Sequence, residues 1–84
     1  MYEKILEAYR RETRNTALQP IEPDFYSKIC QYTSELRELL NSPNISPLNR
    51  KLIEEEVRRV KSLAEDLVDL RFGKMVQEAL EGSL

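Results

Sequence analysis

The sequence predicts an all-α fold, a small bundle of three helices whose third member is much the longest. Three observations carry that expectation. Apolar residues recur at helical spacing in three separate segments. Prolines stand in the links between those segments or where a helix begins. No stretch alternates apolar and polar residues as a strand would.

The first helix is expected over about residues 2–14. Tyr2, Ile5, Leu6 and Tyr9 follow the i, i+3, i+4, i+7 spacing of one buried face, and the rest of the segment is charged. Arg10, Arg11 and Arg14 cluster late in it, where cations complement the negative end of the helix dipole. The connection "NTALQPIEP" then holds two prolines and cannot be helical throughout. Its Leu18 and Ile21 are expected to lie across the helices and shield part of the core.

The second helix is expected over about residues 24–41, with Phe25, Ile29, Tyr32, Leu36, Leu39 and Leu40 on one side. Pro23 and Asp24 suit a helix start: proline in the first turn, a carboxylate near the positive end. Cys30 falls inside this pattern and reads as a packing residue, since the chain has no histidine to activate a thiol. In "NSPNISP", Ser46 before Pro47 reads as an N-cap followed by the first helical residue. The short link implies antiparallel packing of the second and third helices.

The third helix is expected over about residues 47–81. Leu52, Ile53, Val57, Val60, Leu63, Ala64, Leu67 and Leu70 fall in one sector of its wheel. Glu54 with Arg58, and Glu55 with Arg59, are i, i+4 pairs of the solvent face, worth a few tenths of a kcal/mol each. Past Leu70 the pattern changes. The core sector receives Arg71, Lys74 and Glu78, while Phe72, Val76, Ala79 and Leu80 open a stripe on the far side, with Val68 and Met75 between. Gly73 sits at the crossover. Either the helix bends there and folds its last turns back, or it continues straight and offers the new stripe to something else. Cover by the first helix or by the proline-containing connection is the third arrangement. The candidate interface is thus Val68, Phe72, Met75, Val76, Ala79 and Leu80. Arg71, a charge in a core-facing sector, needs a partner; Asp24, Asp66, Asp69 or a carbonyl at a helix end could serve.

Bulk composition narrows the function. Eighty-four residues make one small domain with a modest core, which partners commonly supplement. The net charge of −2 argues against nucleic-acid binding as the main role. Arg10, Arg11, Arg14, Arg50 and Lys51 would be the residues of such a surface, with weak DNA contact at most. No nucleophile–base pair, metal cluster or phosphate-binding glycine loop is visible, so neither enzyme activity, cofactor nor metal is expected. One cysteine and no disulfide suit an intracellular, cytoplasmic setting. The charged N-terminus "MYEKILEAYRRE" does not read as a signal peptide, and no apolar run reaches the ~20 residues of a membrane span.

"YEKILEAYRRE", then "LQPIEPDFYSKICQYTSEL", then a long helix ending in "LVDLRFGKMVQEAL" resembles the N-terminal helical domain of an archaeal GINS subunit. The carrying pieces are Asp24-Phe25-Tyr26 opening the second helix and Leu70-Arg71-x-x-Lys74 late in the third. The resemblance spans Tyr2 to Leu80. It is to the subunit class with the helical domain first and a β-rich domain second. It implies a single helical domain over residues 1–81, with residues 82–84 a frayed end or the start of a linker to that second domain. It further implies a non-catalytic scaffold at the replication fork. Long helices would pack against other GINS subunits in a homo- or hetero-oligomeric, four-subunit core that supports the MCM helicase. Contact with a RecJ-like partner is not implied for the helical domain alone, since the family makes some contacts through the β-rich one. Arg71 and Lys74 would then orient the change of face and perform no chemistry. The broader alternative is a helical adaptor or regulatory domain unrelated to replication.

Overall fold

A computed structural model describes residues 1–82 and holds three helices: α1 (Tyr2–Arg14), α2 (Phe25–Leu40) and α3 (Pro47–Gly82). The expected all-α bundle is what the chain forms, each boundary within about a residue of its expected place. Of residues 82–84, read as a frayed end or linker, Gly82 instead closes α3, and residues 83–84 lie outside the described residues.

α3 is the spine. α1 and α2 each lie along it and make no comparably close approach to one another. The expected antiparallel pairing of α2 with α3 is present: Leu39 and Ile45 line a depression with Asn49 and Leu52 at one end, and Tyr26 meets Val68 at the other. α1 runs parallel to α3. The Arg59 guanidinium sits 4.4 Å over the Tyr2 ring, and Glu12 meets Arg71 and Lys74 more than two turns further on.

The local signals explain the ends. The Ser46 hydroxyl accepts the Asn49 N–H at 3.1 Å, an N-cap bond to the third helical residue, with Pro47 first in the helix. Asp24 occupies the N-cap of α2, but its side chain makes no cap bond and pairs with Lys28 at 3.3 Å. α2 begins one residue later than expected, so Pro23 precedes the helix instead of opening it.

The core is small: Ile5 and Ala8 from α1, Ile29 from α2, Val60 and Leu67 from α3. Tyr2, Tyr9, Phe25, Tyr32, Leu63 and Ala64 pack around it, half-buried. Leu18 and Ile21 of the connection are half-buried, as expected of a segment that shields the core. Some expected core positions are not core. Leu52 and Leu39 are more than half exposed, because the α2–α3 hairpin end has no third helix over it. Cys30 is exposed too, lining the α2–α3 groove and not packed in the core.

Gly73 does not break α3, which runs unbroken for 36 residues. The helix keeps its path because bending would release Arg71 and Lys74, on either side of Gly73, from their partners. Of the arrangements open to the sequence, the straight helix is the one adopted, and every residue from Met75 to Gly82 is exposed.

Candidate functional site

The end of α3 has two opposite faces, and each explains the other. On the inner face, Arg71 and Lys74 close on one carboxylate. The Arg71 Nη1 donates to Glu12 Oε1 and to the Gln19 carbonyl. The Lys74 ammonium donates to Glu12 Oε2 at 2.6 Å and to the main-chain carbonyls of Glu12, Asn15 and Ala17 at 2.6, 2.8 and 3.1 Å. The Gln19 N–H completes the set by donating to Glu12 Oε1 at 3.1 Å. The Glu12 side chain has no exposure, and those of Arg71 and Lys74 keep 8% and 12%.

One carboxylate between two cations leaves a positive charge over. It is met by oxygens that carry no formal charge. The Glu12 carbonyl belongs to the last turn of α1, whose carbonyls lack intrahelical partners and form the negative end of its dipole. Lys74 therefore caps α1 from another helix, while the Asn15 amide donates to the Arg11 carbonyl at 2.8 Å. Burial alone would raise the Glu12 carboxyl. The hydrogen bonds from Lys74, Arg71 and Gln19, with the Lys74 charge, outweigh it and hold the group below its ordinary value of 4.5.

The partner of Arg71 is thus neither Asp24, Asp66 nor Asp69 but Glu12, with the Gln19 carbonyl beside it. Asp24 is occupied by Lys28 at the start of α2, whereas Glu12 arrives on the same side of α1 as Ile5 and Ala8. That spacing, 5–8–12, was the available signal: a carboxylate ending an apolar stripe calls for a buried cation elsewhere.

On the outer face, Phe72 is 64% exposed and Leu80 63%, and Val68, Met75 and Val76 are exposed between two-fifths and one-half. Ala79 is exposed as well. All six candidate interface residues lie on the surface, and they form one stripe. Its upstream end joins a mostly apolar groove of about 470 Å³ between α2 and α3, where Tyr26, Cys30, Ala64 and Val68 meet.

Phe25 and Tyr26 stack edge to face, centroids 5.8 Å apart, Phe25 toward the core and Tyr26 at the groove. Leu70 is half-buried. Arg58 pairs with Glu55 at 3.3 Å instead of Glu54, and Arg59, still exposed, covers the Tyr2 ring instead of pairing with Glu55. Arg11 faces Glu7 at 3.5 Å. Arg10, Arg11 and Arg14 share one surface depression, but Arg50 and Lys51 lie in the first turns of α3, about 35 Å from Lys74 along its axis. The five do not form one basic surface.

Among the described residues, no group of three or more His, Cys, Asp or Glu could hold a metal ion. No described helix is long and apolar enough to cross a membrane. No family model matches the chain, no curated protein matches it, and no solved structure matches it.

Proposed function

We propose that this domain is a non-catalytic assembly module of the GINS type, which joins subunits of a replication-fork complex and supports the MCM helicase. The observation that carries the reading is the two-faced end of α3. Arg71 and Lys74 are held inward, and the same turns offer Val68, Phe72, Met75 and Val76 outward. A contiguous exposed apolar stripe marks an interaction surface. The resemblance of Asp24-Phe25-Tyr26 and Leu70-Arg71-x-x-Lys74 to the GINS helical domain supplies the replication setting. On this reading the partners are other GINS subunits, in a homo- or hetero-oligomer, at the fork in the cytoplasm. DNA contact is weak, and the RecJ-like partner is left to a β-rich domain.

The stripe taken alone supports the broader reading equally well, a helical protein-interaction domain outside replication. Affinity capture of the folded chain from its own cell lysate, read by mass spectrometry, separates the two. Recovery of MCM or a GINS-like subunit, lost in a Phe72→Glu variant of unchanged helicity, supports the replication reading. A folded bait that recovers neither overturns it.

A further inference from the structure

We propose that residues 12–17 form a monovalent-cation site whose resident is the Lys74 ammonium, and that the site, once vacated, takes a free potassium or alkylammonium ion. The observation is the number and origin of the oxygens around Lys74 Nζ. Glu12 Oε2 and the carbonyls of Glu12, Asn15 and Ala17 lie at 2.6, 2.6, 2.8 and 3.1 Å. An ammonium has three protons to donate, so these four oxygens are one more than its hydrogen bonds require. All four come from one short stretch, the last turn of α1 and the start of the connection. None comes from α3, which supplies the cation itself and the Arg71 brace.

The backbone builds the cradle. Asn15 leaves the helix in extended conformation, φ −119° and ψ 143°, and the chain returns its carbonyl and that of Ala17 toward the same point as the Glu12 carbonyl. Arg71 on the Gln19 carbonyl, and the Gln19 N–H on Glu12 Oε1, hold the connection there without help from Lys74. Charge sets the valence. The one carboxylate among the four oxygens is shared with Arg71, and the rest are neutral carbonyls. That set suits a single positive charge, whereas calcium and magnesium draw on further carboxylates or water. Carbonyl oxygens that replace a hydration shell are how potassium is held in selective pores. The Glu12 side chain has no exposure and that of Lys74 keeps 12%, so little water competes for the oxygens.

Lys74→Ala vacates the site. Its urea unfolding is followed in about 0.3 M methylammonium, potassium or tetramethylammonium chloride, the last too large for the cradle but equal in screening. The unfolding constant should be at least about fivefold lower in methylammonium or potassium chloride than in tetramethylammonium chloride, beyond any difference the parent chain shows, as for a ligand that binds only the folded state. If Lys74→Ala is unfolded in tetramethylammonium chloride, return of helical circular dichroism in either small-cation salt is the same readout. Lys74→Arg keeps the charge but brings a planar guanidinium that does not fit four converging oxygens. It should raise the unfolding constant at least about tenfold and respond to none of the salts. Equal unfolding constants for Lys74→Ala in all three salts, or no recovery of helicity in any, overturns the site. A Lys74→Arg chain as stable as the parent overturns it as well, because neutralising Glu12 would then be all that Lys74 does.

Discussion

Glu12 is the residue on which the first helix depends. Replacing it with glutamine leaves Arg71 and Lys74 buried with no formal counter-charge, and breaking such a cluster from one side typically costs about 3 kcal/mol or more. Urea denaturation should show Glu12→Gln losing a large part of the stability of a domain this small. A loss under about 1 kcal/mol would mean that water reaches the two cations. The same carboxylate sets an acid limit. Its pKa is lower folded than unfolded, so between the two values the unfolded chain binds more protons and stability rises with pH. The contribution is fully present above the unfolded value, near 4.5, and is lost as pH falls through the folded one. Midpoints measured from pH 7 to pH 3 should fall below about 4.5 in the parent chain. In Glu12→Gln this part of the decline should be absent. The sequence made the need for such a residue visible at Arg71 without identifying it, because the two are 59 positions apart and only the packing of α1 on α3 joins them.

At the scale of elements, periodicity and capping were legible and long-range choices were not. Ser46-Pro47 marked the start of α3, and Ser46→Ala should cost about 1 kcal/mol by removing the bond to the Asn49 N–H. Gly73 could be read as a bend or as a tolerated helix residue, since a glycine carries no information about what its neighbours hold. In the straight helix, a Cβ added there meets nothing within 4 Å. Gly73→Ala should therefore stabilise the domain by roughly 0.5–1 kcal/mol. Destabilisation, measured in the same denaturant titration, would show that α3 bends at this point in solution. Leu39 and Leu52 are exposed for a related reason: the wheel identifies a face but not how far along it a neighbouring helix extends.

The described residues form a rod, 59 × 20 × 17 Å, with a Cα radius of gyration of 16.2 Å. A compact chain of this length would have about 12 Å. Small-angle scattering at low concentration should give the larger value. A value near 12 Å would mean that the end of α3 folds back over the outer stripe and that the stripe is internal. Amide exchange along α3 should divide the same way, with protection through Val60 and Leu67 and rapid exchange from Met75 to Gly82, where every residue is exposed.

The clamp on Glu12 also sets an order of events during synthesis. α1 leaves the ribosome first, yet the two side chains that neutralise its buried carboxylate and cap its last turn are translated 59 and 62 residues later. Until then α1 is a short helix with its only acid on the apolar stripe uncompensated, and helices of its length are marginal alone. The α2–α3 hairpin, built on contacts close in sequence, can form earlier. α1 can therefore gain its clamp only after the far end of the spine that carries it has been made.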